Sequence, residues 1–391
     1  MKPILRQAAL AALVTTLAAT SAWAWGPRAQ RSISYTALQV IEREFPDTLS
    51  VHARDIVAGA EAGYDELREN HALNSESEVV AAIASEMQLL REVRKYGVSS
   101  YFAYRLGVLS ALTSDAILPF GFAWSPREAT LQETIAGDID SALENYSYTQ
   151  TDDVNFIRNP RIYFQNRRSF YSEAKRIIAR DYERGSGYAG YLANGGPAYF
   201  ETAINTVSDV WYTVLEPVQQ VNDVSPSPTN VTWYFVGEIR YLLEVKANQR
   251  RALQAYELFE RVNPGIASAY EEVGDLFYTY GTDEAQARGV REWRQAYAIG
   301  SSNRSRVAKK LAEHHLEEGQ SFLDRGQQPG SDDGDLPAAL REFEAALTFD
   351  RNSATAAEKI QETNDAITAR QERYDLNSNI IASADAVMAE A

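Results

Sequence analysis

The sequence contains no cysteine and only four histidines among its 391 residues. Without cysteine the chain can form no disulfide, carry no lipid-modified cysteine, and use no thiol nucleophile. The scarcity of histidine restricts zinc binding, because zinc prefers nitrogen and sulfur donors. Stability must therefore come from packing, and any metal site would have to rely mainly on carboxylates and backbone atoms.

The first 24 residues have the pattern of a secretory leader. Basic residues precede an apolar run over 8–19, and the small residues Ala22 and Ala24 match a signal-peptidase site. The apolar run is shorter than the roughly 20 residues that span a bilayer, which favours cleavage over a membrane anchor. Removal of 1–24 would place the protein in the periplasm or outside the cell, with Trp25 as its first residue.

Acidic residues outnumber basic ones by 54 to 38. Loss of Lys2 and Arg6 with the leader leaves 36 basic residues, so the mature chain carries a net charge of −18. Such a surface repels phosphate backbones, and we predict no nucleic-acid partner. No later stretch is long and apolar enough to cross a bilayer, so we predict no transmembrane segment after cleavage.

Apolar residues recur with the period of an α-helix along nearly the whole chain, and no run alternates as a strand would between hairpin turns. We therefore predict an all-α protein. Two glycine-containing segments, 185–190 and 193–197, are predicted to be loops, since neither has the spacing of a phosphate-binding P-loop. The helices are expected over 28–45, 76–95, 98–117, 126–146, 168–184 and 198–217, with a further series from about 231 onwards.

An internal repeat follows the segment 225–229, whose closely spaced prolines predict a domain linker. Each copy places a glycine three or four residues before an aromatic residue, and the clearest copy pairs Gly319 and Phe322 with Phe343 and Ala346 in the next helix. This pattern resembles tetratricopeptide repeats, in which small residues let paired helices approach and aromatic side chains fill the gaps.

The repeat resemblance implies a helical-repeat domain over 230–350, with a capping helix and tail over 351–391. The glycines lie 37 and 45 residues apart, beyond the usual period of about 34. The polar insertion 327–335 explains part of the longer spacing. Stacked helix pairs form a concave surface, so the resemblance implies a protein partner bound through this domain. The alternative is an irregular helical bundle in which Gly and Ala recur by chance.

The N-terminal half begins with Trp25-Gly26 before a predicted helix, and a later segment runs from Phe102 through Asp115 and Pro119 to Gly121. These features resemble the all-α superfamily of zinc-dependent phospholipases C and single-strand-specific nucleases. The resemblance is concentrated in 25–125 and implies a helical domain over 25–224. In that family the amine and carbonyl of the mature N-terminal tryptophan bind zinc. Three zinc ions activate water and neutralise the phosphodiester.

Only part of the family's ligand pattern is present. Trp25, Asp115 and Pro119 match it. In the family a histidine four residues before the aspartate meets the same metal, because residues i and i+4 share one helix face. Four positions depart from the pattern, with Gln30, Ala111, Leu118 and Gly121 standing where the family has His, His, Gln and His.

The remaining ligands that the resemblance implies are an aspartate and a histidine between the first helix and this segment. The family's cluster uses about five imidazoles, whereas the N-terminal half has only His52 and His71. Carboxylates alone suit calcium or magnesium better than zinc. We therefore predict no catalytic residue and no cofactor, or at most a weak or vestigial site that would hold zinc. Its candidate ligands are Trp25, Asp55, Asp65, His71 and Asp115.

Two other patterns could carry chemistry. The carboxylate pair Asp138 and Asp140 could do acid–base work, although acidic residues are plentiful and solvated helix faces explain them equally. A basic cluster interleaved with aromatic residues could hold an anionic ligand or form internal ion pairs. It consists of Arg158, Arg161, Arg167 and Arg168.

Two functions stay open on these grounds. The first is an extracytoplasmic interaction or scaffold protein with a non-catalytic phospholipase C-like domain and a partner-binding repeat domain. The second is a metal-dependent phosphodiesterase with a reduced metal site. The set of metal ligands distinguishes the two functions. Gln30, Ala111 and Gly121 at ligand positions favour the interaction protein. Fold alone confers no activity, so the resemblance supports the architecture more than the reaction.

Overall fold

The computed structural model describes residues 25–149, 153–217, 219, 226–300, 303–328, 330 and 334–390. All regular elements in these ranges are helical, which confirms the all-α prediction. The predicted leader over 1–24 lies outside the described residues. The chain divides into two compact units, one ending at Val231 and the other beginning at Thr232. Residue 225 of the predicted linker also lies outside the described residues.

The first unit contains eight described helices, one short α-helical turn, Asp65–Arg68, and four short 3₁₀ turns. Five helices, α1, α3 to α5 and α7, were predicted to within four residues at either end. The predicted helix 198–217 covers only the later part of α8, and α2 and α6 were not predicted. The bounds are α1 Pro27–Glu44, α2 Ala53–Ala62, α3 Glu76–Val93, α4 Ser100–Ile117, α5 Pro126–Ala142, α6 Pro160–Arg167, α7 Tyr171–Glu183 and α8 Tyr191–Leu215.

Serine caps fix where three of these helices begin. The side chains of Ser75, Ser99 and Ser125 each accept a hydrogen bond from the backbone N–H three residues later. A serine in this position satisfies one of the N–H groups that the first helical turn leaves without a partner. The helical periodicity predicted the starts of α3, α4 and α5 to within two residues, and the caps are the physical reason that these helices begin there.

Helix α4 forms the core of the first unit. All its residues except Tyr104 are buried, and it packs against α1, α2, α3 and α8. Its contact with α2 is close because a side chain on Gly107 would collide with the carbonyl oxygen of Ile56. In the same way, a side chain on Gly59 would collide with the carbonyl oxygen of Tyr104. The two glycines therefore bring the α2 and α4 backbones into contact.

The segment 193–197 was wrongly predicted to be a loop, because it lies inside helix α8 with Pro197 in the helix interior. Proline removes one helical hydrogen bond but does not prevent the helix when packing supports it. Leu192, Gly196 and Phe200 are spaced four residues apart and are all buried. Their common face explains why the helix continues, whereas the preceding segment 185–190 forms a connection with a short 3₁₀ turn.

The second unit contains helices that pack most extensively in successive pairs, α11 with α12 and α13 with α14. Helix α9 begins before Thr232 and continues as a π-helical turn, Tyr241–Val245. The bounds are α9 Pro228–Arg240, α10 Gln249–Val262, α11 Ala267–Tyr280, α12 Asp283–Ile299, α13 Arg304–Gly326, α14 Asp335–Phe349 and α15 Ala354–Glu390.

Glycines lie where the helices meet within both pairs. A side chain on Gly274 in α11 would collide with the indole of Trp293 in α12. A side chain on Gly319 in α13 would likewise approach the ring of Phe343 in α14 too closely. Each glycine therefore makes room for an aromatic ring of the partner helix, and both rings are buried. Part of the polar insertion 327–335, residues 329 and 331–333, lies outside the described residues.

Candidate functional site around Asp115

The Asp115 carboxylate lies in the last turn of α4 and is completely buried. Its Oδ1 atom accepts a hydrogen bond from Nε2 of Gln30 at 2.9 Å and a longer one from the backbone N of Trp25 at 3.4 Å. Its Oδ2 atom accepts from the hydroxyl of Tyr64 at 3.1 Å. Three donors from two segments distant in sequence therefore converge on one carboxylate. We call Asp115, Trp25, Gln30, Tyr64 and Ser114 the Asp115 centre.

The side chain of Trp25 is also completely buried. Its indole Nε1 donates to the carbonyl oxygen of Ser114 at 2.9 Å. The ring meets Phe200 of α8 edge to face at a centroid separation of 6.1 Å. Burial of an indole with its N–H satisfied contributes strongly to packing. The tryptophan thus anchors the start of the described chain against both α4 and α8.

The amide of Gln30 is held at both ends. Its nitrogen donates to Asp115, and its Oε1 accepts from the hydroxyl of Ser114 at 2.9 Å. Gln30 is 1% exposed. The amide therefore cross-links α1 to α4, in the position where the family resemblance implies a zinc-binding histidine.

Tyr64 follows Gly63, which ends α2 with a positive φ of 73°. Burial and the nearby charge of Asp115 raise the pKa of the Tyr64 phenol well above its usual value. The phenol therefore keeps its proton at physiological pH and acts as a donor to the carboxylate. No sequence signal singled out Tyr64, because its role depends on the packing of α2 against α4.

The turn after α4 leaves no room for the family's closing histidine. A side chain on Gly121 would collide with the backbone carbonyl oxygen of Asp115. The carbonyl of Gly121 itself accepts from Nε2 of Gln132 at 2.7 Å. One turn before Asp115, Ala111 is 1% exposed and fully packed. The backbone and packing around Asp115 thus accommodate small residues at the two positions where the family resemblance implies imidazoles.

The other candidate ligands lie in different surroundings. Asp55 is buried and lies 3.6 Å from Nδ1 of His52, and Asp65 pairs with Arg68 on the surface at 3.4 Å. Burial lowers the pKa of the half-buried His71, with opposing influences from the Glu86 and Arg105 charges. The structure therefore brings Trp25 and Asp115 together, whereas each of the other three has its own local partner or charged neighbours.

The ligand set does not fit the family's zinc cluster. Around Asp115 the donors are an amide, a phenol and a backbone nitrogen, and zinc favours imidazole and thiolate ligands. In the described part of the chain, no group of three or more His, Cys, Asp or Glu residues is arranged to hold a metal ion. Metal binding at the five candidate residues stays a prediction that needs a direct measurement.

The carboxylates of Asp138 and Asp140 on α5 make separate structural contacts. Asp140 accepts from the backbone N of Ala29 at 2.9 Å and from that of Arg28 at 3.2 Å, so it caps the start of α1. Asp138 accepts from the hydroxyl of Tyr182 at 2.6 Å. An acidic group at a helix N-terminus is favourable because it satisfies free N–H groups and the helix dipole.

The basic cluster is divided between two environments. Arg167 donates to the buried carboxylate of Asp209 at 3.2 Å, as the ion-pair interpretation predicted. Arg168 lies 3.0 Å from Glu76 of α3. Arg158 and Arg161 are exposed. The four arginines therefore do not form one anion site, although Arg161 and Arg168 line the same groove.

Comparison with known proteins adds no family assignment, because no family model, no curated protein and no solved structure matches this chain. Within the described residues, no helix has both the length and the apolar character that crossing a bilayer requires. The observations define an all-helical protein with two compact units. One of these units contains a buried carboxylate on which three sequence-distant donors converge.

Proposed function

We propose that this chain is an extracytoplasmic interaction protein. In this proposal the first unit is a non-catalytic relative of the zinc-dependent phospholipases C, and the second unit binds a protein partner. The observation that supports the loss of catalysis is the Asp115 centre, where protein donors contact both carboxylate oxygens. A metal at Asp115 would have to displace Gln30 or Tyr64, leaving a buried polar group without its partner at a cost of about 1–3 kcal/mol.

Removal of the leader would strengthen this arrangement. The backbone nitrogen of Trp25, 3.4 Å from Asp115 Oδ1, would become the α-amino group of the mature chain. A protonated amine there supplies a positive charge to a completely buried carboxylate. Hydrogen bonds between charged partners are shorter and stronger than those between neutral groups. The mature amino terminus would thus provide the counter-charge at Asp115.

Partner binding by the second unit is supported by the end of α15. Residues 371–384 are all exposed, although four of them have large apolar side chains. Their exposed fractions are 60% for Tyr374, 58% for Leu376, 57% for Ile380 and 61% for Ile381. A cluster of exposed apolar side chains is characteristic of a protein interaction site. We call this segment the exposed α15 face.

The first test measures zinc in protein secreted and processed to begin at Trp25, with the mass of the amino terminus verified. The proposal predicts no stoichiometric zinc in the wild type or in Asp115→Asn after exposure to excess zinc and gel filtration. Stoichiometric zinc that Asp115→Asn abolishes would support the phosphodiesterase alternative and contradict the proposal.

The second test uses the full mature chain as bait in extracts of its own compartment. The variant Leu376→Ser with Ile380→Ser and Ile381→Ser should lose a partner that the wild type captures. A matched control is Val51→Ser, which removes an apolar side chain that is 76% exposed in the first unit. Equal capture by the wild type and the triple variant would show that the exposed α15 face does not bind the partner.

A further inference from the structure

A groove lies between α3 and α6 in the first unit. It has a volume of about 740 Å³, within the range of roughly 300–1,000 Å³ typical of small-molecule sites. Val80, Ala84 and Phe164 provide apolar lining, and Arg161, Gln165 and Arg168 provide polar lining. Ala84 and Phe164 are buried, so the apolar lining belongs to the packed interior. The groove thus combines an apolar wall with two arginines.

Arg168 is the unusual residue of the groove. Its side chain is only 9% exposed, and its guanidinium lies 4.3 Å from the ring centre of Tyr171. Its Nε is buried, and within the described part of the chain it has no hydrogen-bond partner. A buried donor without a partner is destabilising and calls for a ligand, an ion or a water.

The existing partner of Arg168 leaves part of its hydrogen-bonding capacity unused. Glu76 Oε1 lies 3.0 Å from Nη2, and Nε is not hydrogen-bonded to it. An arginine can hold a carboxylate with two parallel N–H bonds, and a single contact is the weaker arrangement. The Glu76 side chain is 54% exposed. It can therefore move into water at little cost and leave the guanidinium to another carboxylate.

We propose that this groove binds a small amphipathic carboxylate. The carboxylate would replace Glu76 on the Nε and Nη2 atoms of Arg168, and the apolar part would lie along Val80, Ala84 and Phe164. Arg161, which is exposed and lines the same groove, adds a second positive charge to the groove. This binding function is independent of the Asp115 centre and of the exposed α15 face.

The test is calorimetric titration of the full mature chain with decanoate, and with decanol as the neutral probe of equal chain length. Decanoate should bind once per chain, and decanol at least tenfold more weakly, because only the anion engages Arg168. Arg168→Gln should weaken decanoate binding by at least tenfold. Glu76→Gln should strengthen it, since the competing carboxylate is removed.

Two further variants separate the groove from general effects. Ala81→Phe places a ring in the groove at an exposed position of α3, so binding should be lost while the fold is kept. Arg158→Gln removes an exposed arginine outside the groove lining and should leave binding unchanged. The proposal is wrong if decanoate does not saturate the wild type. It is equally wrong if decanol binds as tightly, or if Arg168→Gln and Ala81→Phe bind decanoate like the wild type.

Discussion

The two ends of helix α4 hold a buried charge in different ways. Near the start of α4, Arg105 forms two parallel bonds with the Glu86 carboxylate, at 2.9 and 2.7 Å, and a third with Glu66 at 2.9 Å. In the last turn of α4, Asp115 accepts hydrogen bonds from the amide of Gln30 and the phenol of Tyr64. Near the start of α4, an ion pair balances the buried charges of Arg105 and Glu86. In the last turn of α4, neutral donors surround the buried charge of Asp115.

The difference shows how each end depends on the rest of the chain. Arg105 and Glu86 are both side chains of the folded unit, so their charges are balanced before and after any processing. The Asp115 centre contains the nitrogen of Trp25, which carries a charge only when it is a free amine. If the predicted leader is removed, only the Asp115 end of α4 is therefore expected to respond.

The largest effect is expected at the ion-paired end. Arg105→Met would leave Glu86, which is 1% exposed, as a buried charge without its cation. We expect a loss of about 3–5 kcal/mol in the free energy of unfolding, measured by urea denaturation. Adding Glu86→Leu to this variant should restore much of the loss, because an apolar pair replaces the ion pair. A double variant as unstable as Arg105→Met would contradict this explanation.

A smaller effect is expected for Asp115→Asn. The substitution keeps the shape of the side chain but removes its charge and places an amide NH₂ group opposite existing donors. We expect it to lower the free energy of unfolding by about 1–3 kcal/mol. The cost should be larger in protein that begins at Trp25 than in protein with one extra alanine before it. Equal costs in the two forms would show that the amine does not interact with the carboxylate.

Two buried glutamates of the second unit, each 2% exposed, should have opposite effects on stability. Burial favours a raised pKa for Glu271, but bonds from Arg306 and Lys310 hold it below its usual value. The ionised Glu271 carboxylate therefore stabilises the fold at pH values above the ordinary glutamate pKa. This contribution is lost as the pH falls through the lowered pKa. Glu271→Gln should therefore lower stability at pH 7.

Glu292 shows the reverse behaviour. Burial raises its pKa despite bonds from Tyr256 and Arg291. The protonated Glu292 side chain contributes to the stability of the fold at pH values below the ordinary glutamate pKa. This contribution is lost as the pH rises through the raised pKa. Glu292→Gln should therefore increase stability at pH 7. Thermal unfolding of both variants between pH 3 and pH 8 checks the two signs, and changes of the same sign at pH 7 would contradict the explanation.

The smallest effect is expected for a glycine that has no role in close packing. Gly137 lies within α5, and a side chain there would meet no atom within 4 Å. Gly137→Ala should raise stability by about 0.5–1 kcal/mol, because glycine loses more backbone entropy than alanine on folding. Gly107→Ala in α4 should instead lower stability, because the added side chain would collide with the carbonyl oxygen of Ile56. Chemical denaturation of the two variants provides the comparison.

Much of the first unit could be predicted from local sequence. Helical periodicity located α1, α3, α4, α5 and α7, and the match of Trp25 and Asp115 to one pattern pointed to a pair that does lie in contact. The donors Gln30 and Tyr64 could not be identified as a set, because packing of α1 and α2 on α4 brings them together. The first part of α8, residues 191–197, was missed because burial outweighed the low helix propensity of its glycines and Pro197.

The most direct test is anomalous diffraction at the zinc edge, from crystals of the mature protein grown with zinc. We expect no zinc peak at Asp115. We also expect the Trp25 amine to lie within hydrogen-bonding distance of the carboxylate, with Gln30 and Tyr64 still donating to it. A zinc peak about 2.0–2.2 Å from both the amine and a carboxylate oxygen would contradict the central claim that protein donors have replaced the metal.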